Sequence, residues 1–133
     1  MKEISLSELA IQAREAIALS KASRSNYKVG AAIACQAGFI FKGANIENRI
    51  LSQTIHAEQA AAINLLMHHP HNKAIALAVY TPEVEPYFPC AFCRQFLYEL
   101  FGGELLVVAV GLNGIKDKKT LDELYPYPYP RLN

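Results

Sequence analysis

The sequence predicts an α/β fold, a three-layer α/β/α sandwich on a mixed central sheet of about five strands. Helical apolar periodicity over residues 6–19, 55–69 and 90–101 alternates with short runs rich in small and β-branched residues at 29–34, 39–44, 74–80 and 105–110. Those runs are almost continuously apolar, the pattern of strands covered on both faces. Helices also separate most of the strands, which implies right-handed crossovers and a partly parallel sheet.

At 133 residues the chain suits one domain, 1–133, with a single core. Its 52% hydrophobic and 19% charged content is ordinary for a globular protein. The net charge of +1 is thinly spread, and the densest basic cluster, Lys116, Lys118 and Lys119, reads as a loop rim. Nothing resembles the basic stripe of a nucleic-acid binder. No apolar run reaches the ~18 residues of a membrane span, and the N-terminus leads straight into an amphipathic helix without a signal-peptide pattern. Three cysteines with one close pair fit a reducing compartment and metal ligation better than a disulfide framework, so the expected location is cytoplasmic.

Each element has a local reason. Ser5 with Glu8 forms a capping box, Ile4 and Leu9 a hydrophobic staple, and Leu6, Leu9, Ala10, Ala13 and Ile17 an apolar stripe that runs to about Leu19. Residues 29–34 and 39–44 form a hairpin turning at Ala37-Gly38. Gly30, beside Ala31 and Ala32, marks a place where something approaches the backbone closely. Cys35, at the strand end, reads as a buried structural thiol. The polar run Asn45-Ile46-Glu47-Asn48-Arg49 lies at a strand end, where binding groups are displayed.

The second helix buries Ala60, Ile63, Leu66 and Met67 and ends before Pro70. His68, His69 and His71 near its C-terminus suit the helix dipole better than a metal. A strand over 74–80 leads to a proline-rich loop at 81–89. Pro89 opens the third helix, which stops at Gly102-Gly103. A strand over 105–110, a turn at Asn113-Gly114, a possible short edge strand and a small helix capped by Thr120 and Glu123 follow. The Tyr-Pro repeat at 125–130 runs extended over another surface.

Two stretches carry the chemistry: His56-Ala57-Glu58 and Pro89-Cys90-Ala91-Phe92-Cys93. Cys90 and Cys93 are three apart at a helix start, so their side chains share a face and the helix N-terminus favours their thiolates. His56 supplies a third ligand. Two thiolates and an imidazole balance Zn²⁺ and leave one position open, as in catalytic sites. Glu58 is then free to move protons. A structural site needs a fourth ligand, and the spare candidates, Cys35 and His71, lack a matching spacing.

A histidine two residues before a glutamate, with Pro-Cys-x-x-Cys some thirty residues on, is the known signature of zinc nucleobase deaminases. Over residues 20–129 the chain resembles the cytidine deaminases. Tyr27-Lys28-Val29-Gly30-Ala31-Ala32 is similar to the family's Phe-x-Val-Gly-Ala-Ala strand, and Gly43-Ala44-Asn45-Ile46-Glu47-Asn48 to its ribose-reading segment. Cys93-Arg94-Gln95 matches the Cys-Arg-Gln of free-nucleoside deaminases. The resemblance implies one Zn²⁺ per subunit on His56, Cys90 and Cys93, with Glu58 as general base and acid. Asn45 and Glu47 hold the ribose, Tyr27 packs near the base, and backbone at Ala57 and Pro89 contacts the base edge. Tyr129 takes the place of a stacking phenylalanine often lent by a neighbouring subunit. The implied partners are a small nucleoside and further copies of the chain, a tetramer in preference to a dimer.

The chain also departs from the family. His56 stands where most single-domain members have a third cysteine, and neutral Gln59 where they have a charge-balancing arginine. His-Ala-Glu-Gln resembles the longer, dimeric class. Arg49, Ile50, Leu51, Phe88, Ala91 and Tyr129 alter the pocket pattern. The expected reaction is deamination of cytidine or deoxycytidine in pyrimidine salvage. The competing expectations are deamination of a modified or antibiotic aminopyrimidine nucleoside, or a silent nucleoside-binding zinc protein; Glu58 argues against the latter.

Overall fold

Five strands, β1 (Gly30–Cys35), β2 (Ile40–Ala44), β3 (Ala74–Tyr80), β4 (Leu106–Gly111) and β5 (Gly114–Thr120), form one sheet in the computed structural model, which describes residues 3–131. Their order is β2-β1-β3-β4-β5. Only β3 and β4 pair in parallel, joined through a helix; the other neighbours are antiparallel. The sheet is therefore mixed, as the sequence predicts.

Helix α1 (Leu6–Glu15) covers one face. Its Leu9, Ala10 and Ala13 pack with Ala32, Ala34, Ala76, Ala78, Val108 and Val110, which alternate along three strands. Helices α2 (Ala57–His68), α3 (Ala91–Phe101) and α4 (Leu121–Leu124) cover the other face over Ala31, Ile33, Leu77, Val79 and Val107. The small residues of β1 and β3 let α1 lie close. A Cβ on Gly30 would stand 2.0 Å from the Ala13 carbonyl oxygen, which identifies α1 as what approaches the backbone there.

Several expectations are corrected. The capping box of α1 forms one arm: Ser5 Oγ accepts from Glu8 N at 3.2 Å, while the Glu8 carboxylate accepts from Gln12 Nε2. The helix tightens to a 3₁₀ turn over Ala16–Leu19. β2 is an edge strand, half-buried at Ile40, Phe41 and Lys42, with nothing paired beyond it among the described residues. The Lys116, Lys118 and Lys119 cluster is not a loop rim. It lies in β5, a seven-residue edge strand whose charges discourage further pairing.

The face of α2 is also different. Ile63 and Met67 are exposed, Ala60 and Leu66 half-buried, and the buried side is Ala57, Glu58, Ala61, Ala62 and Leu65. This helix is apolar almost all round, so its periodicity cannot select a face. Close packing does: a Cβ on Gly43 would meet Ala61 N at 2.2 Å and the Ala57 carbonyl oxygen at 2.6 Å. The small side of α2 must face β2, which turns Glu58 inward.

Candidate active site

Two helix N-termini converge. His56 is the N-cap of α2, extended at φ −78° and ψ 156°, and its amide donates to Gln59 Oε1 at 2.9 Å. Cys90 is the N-cap of α3, with its carbonyl accepting from Arg94 N at 2.9 Å. Cys93, one turn on, is buried. His56 Nδ1 lies 3.2 Å from Cys93 Sγ and 3.5 Å from Cys90 Sγ, and the three donor atoms all fall within 4.8 Å of one another. Such spacings suit donors that share one ion at about 2.0–2.3 Å each.

The donor set therefore fits zinc: two soft thiolates and one imidazole, with no fourth protein ligand grouped with them among the described residues. Cys35 sits in the core at the end of β1, as a structural thiol should. Without a cation, burial and the nearby Glu58 and Cys90 push the Cys93 thiol up. A bound dication reverses that preference and holds the thiolate. The Phe92 and His56 rings meet in a T-shaped pair, with centroids 5.6 Å apart and planes at 80°.

Glu58 is 6% exposed and lines the same cavity, of about 240 Å³, as His56 and Cys90. Burial pushes its carboxyl up from the ordinary value, opposed in part by its own backbone amide. A carboxyl so placed can hold a proton and release it within the cavity. Val29, Ala57, Val79 and Phe88 give the cavity apolar walls suited to a flat ring, and Asn45, Glu47, Thr54 and Thr81 give it polar groups.

Asn45 and Glu47 flank Ile46 in a segment bridged on both sides, to Lys21 and to Ile55. Asn45 Oδ1 accepts from Val29 N at 3.0 Å and from Ser20 Oγ, and its Nδ2 donates to the Tyr27 carbonyl at 2.7 Å. One Nδ2 hydrogen is left for a ligand. Glu47 Oε1 accepts from Arg24 N and Ser25 N, each at 2.8 Å, and Oε2 accepts from Ser25 Oγ. The Ser25 hydroxyl, followed by these amides, lowers the Glu47 carboxyl below its usual 4.5.

Because the folded pKa is depressed, these bonds stabilise the loop fully above the ordinary carboxylate value and are lost as pH falls through the lowered one. Ser25→Ala should raise the Glu47 pKa toward 4.5. Carboxyl carbon NMR titration reads the shift, and an unchanged midpoint would contradict the assignment to Ser25.

Ala57 lines the cavity, whereas Tyr27, Pro89 and Tyr129 do not. The Tyr27 hydroxyl donates to Glu83 Oε1 at 3.1 Å, and burial, followed by this bond, pushes its pKa up to about 12. Pro89 is buried, with its carbonyl accepting from Arg94 Nε at 2.7 Å. Tyr129 is 81% exposed. Leu51 is 69% exposed and does not line the cavity, while Phe88 forms part of the wall. Sequence reasoning missed Thr54, Val79 and Thr81 as lining residues, and Gln59 as the brace of His56. The position of Val79 and Thr81 at the C-terminal end of a parallel strand, where such folds bind ligands, was the available signal.

A buried carboxyl beside an open thiolate–imidazole metal site places this protein among the zinc-dependent hydrolytic deaminases of nucleobases. The family model for the cytidine and deoxycytidylate deaminase zinc-binding region matches residues 5–109, and the chain belongs to that family. It is 34% identical over 117 residues to a cytidine deaminase from Halalkalibacterium halodurans, an alignment spanning 88% of this chain and 86% of the relative. Among solved structures it is similar to a cytidine deaminase from Burkholderia pseudomallei, with TM-score 0.88, 30% identity, and coverage of 94% of this chain and 99% of that one. A Mycobacterium tuberculosis cytidine deaminase gives TM-score 0.83 at 28% identity, covering 97% and 100%. No helix among the described residues is long and apolar enough to cross a membrane.

Proposed function

We propose that this protein hydrolyses free cytidine and deoxycytidine to the uracil nucleosides and ammonia, with one Zn²⁺ per subunit held by His56, Cys90 and Cys93. The observation that carries this reading is the buried Glu58 carboxyl in one cavity with His56 and Cys90, beside apolar walls and the Asn45–Glu47 pair. Water's oxygen forms a bond to C4 of the base, and the C4–N bond to the amine breaks. When bound, the ion supplies Lewis-acid activation that brings the pKa of water toward ~7. Glu58 takes one proton of the water and passes it to ring N3, then takes the second from the new C4 hydroxyl and delivers it to the amine, so that the C4 carbonyl forms as ammonia leaves.

Asn45 and Glu47 hold the ribose hydroxyl through the remaining Nδ2 hydrogen and carboxylate lone pair. Ala57, which lines the cavity, contacts the base edge through its backbone; Pro89, between the lining residues Phe88 and Cys90, and Tyr27, two positions before the lining residue Val29, are the further base contacts that the family resemblance implies. Tyr129 serves a neighbouring subunit; its exposure and its place outside the cavity of its own chain support that role. A homo-oligomer is supported by exposed Ile63 and Met67 on α2 and Phe92 and Leu100 on α3; the family resemblance implies a tetramer in preference to a dimer. We take residues 1–133 as one domain acting in the cytoplasm in pyrimidine salvage.

Phe88 in the wall favours a second reading, an altered choice of base, in which a modified aminopyrimidine nucleoside is the preferred substrate. Loss of ultraviolet absorbance with cytidine, deoxycytidine and base-modified analogues tests both. Turnover of cytidine is expected, and activity on analogues alone would shift the assignment to the second. Cys93→Ala should lose the metal by elemental analysis and fold less stably; a stoichiometrically zinc-loaded variant would overturn the ligand set. Light scattering that finds a fully active monomer would overturn the role of Tyr129 across subunits.

A further inference from the structure

The dipeptide after Cys93 faces the C-terminal segment. Arg94 Nε donates to the Pro89 carbonyl at 2.7 Å, and its backbone amide donates to the Cys90 carbonyl at 2.9 Å. The carbonyls on either side of the Cys90 Cα are thus both bonded by Arg94, the first through its side chain and the second through the helical backbone bond. The guanidinium then reaches across, with Nη1 donating to the Leu124 carbonyl at 2.8 Å, at the end of α4. Gln95 continues the connection. Its Oε1 accepts from the Tyr125 hydroxyl, and its Nε2 donates to the Tyr129 carbonyl. The Tyr129 amide donates back to the Tyr125 oxygen at 3.3 Å.

Gln95 Nε2 also donates to Glu99 Oε1 at 2.9 Å, one turn on in α3, but the side-chain bonds of Arg94 and Gln95 that reach the segment go to backbone and hydroxyl groups, so they set position rather than neutralise charge. Arg is needed for this geometry, because its planar fork offers separate N–H groups to two acceptors, where Lys offers a single rotatable point charge. Segment 125–130 contains three prolines and cannot fold back as a helix. Its direction is set by what it is tied to.

We propose that Arg94 and Gln95 are positioning residues that fasten the C-terminal segment to the first turn of the metal-binding helix, so that the segment presents Tyr129 to the active centre of a neighbouring subunit. Arg94 steadies the backbone that presents Cys90, and Gln95 sets where Tyr129 stands. The inference rests on the reading of His56, Cys90 and Cys93 as the zinc ligands and of Tyr129 as a substrate contact.

The chain has no tryptophan, so Tyr127→Trp, at an exposed position outside this network, gives a unique probe of the segment. In that background, Arg94→Lys and Gln95→Leu are compared with the parent as zinc-loaded protein, below the melting temperature of each. Tryptophan anisotropy should fall in both variants. Arg94→Lys should release zinc to a chromogenic chelator ~10-fold faster, the scale of lost outer-shell support. Gln95→Leu should release zinc at the parent rate but raise KM for cytidine by ~10-fold with kcat little changed, the signature of lost ground-state binding. Unchanged anisotropy in both variants, or melting temperatures that fall while zinc release and KM stay at parent values, would overturn the proposal. A parent protein that holds no zinc would instead overturn the ligand assignment, which the same chelator measurement reads separately.

Discussion

Glu58→Gln is expected to keep zinc and lose turnover, with kcat falling by at least ~10²–10⁴-fold, the contribution of positioned proton transfer. Glutamine matches the shape of glutamate but cannot accept the proton from water or return it to the base and the amine. Burial already disfavours the ionised carboxyl at this 6%-exposed position, so a neutral amide removes a desolvation cost. The variant should therefore melt no lower than the parent while its chemistry fails. Elemental analysis, thermal melting and steady-state kinetics measure the three quantities. Near-parental turnover would remove Glu58 from the mechanism.

Gly43→Ala should damage catalysis from outside the cavity. A Cβ there would stand 2.2 Å from Ala61 N, 2.6 Å from the Ala57 oxygen and 2.7 Å from the Ala60 carbonyl carbon. These are backbone atoms of α2, so no side chain can swing away and the helix itself must retreat from β2. Overpacking of this kind costs about 1–3 kcal/mol. The larger effect falls on rate, because the displaced turn carries Glu58 and follows His56 directly, and a shift near 1 Å at reacting groups costs about 10²-fold. Gly114→Ala is the control. With φ +97° and nothing within 4 Å, it strains a turn between β4 and β5 at about 1–3 kcal/mol without touching α2. Equal losses of kcat/KM in the two variants would show that Gly43 acts through stability alone.

Much of the fold was legible because its signals are local. The bounds of β3 follow from an apolar run closed by a proline-rich loop, α3 from Pro89 and the Gly102-Gly103 stop, and α4 from the Thr120–Glu123 capping box, in which each side chain bonds the other's backbone amide. The buried side of α2 was not legible, since Ala, Ile, Leu and Met surround that helix and only the bare backbone at Gly43 chooses among them. The strand β5 was reduced to a possible short edge because its charges on both faces hide the alternation that marks a strand.

The same division runs through the site. Ligand types, their order and their places at helix starts are properties of a few adjacent residues, so His56, Glu58, Cys90 and Cys93 stood out in the sequence. The tasks of Asn45, Glu47, Arg94 and Gln95 depend on partners about twenty to thirty-five positions away, among them Ser20, Ser25, Leu124 and Tyr129. Those pairings exist only once the sheet has stacked its layers. The sequence by itself determined which chemistry the protein performs. The tertiary structure decided that Tyr27 and Pro89 lie outside the cavity lining, that Phe88 forms part of its wall, and that the C-terminal segment is tied to the helix carrying Cys93, since packing alone fixes which groups share a space.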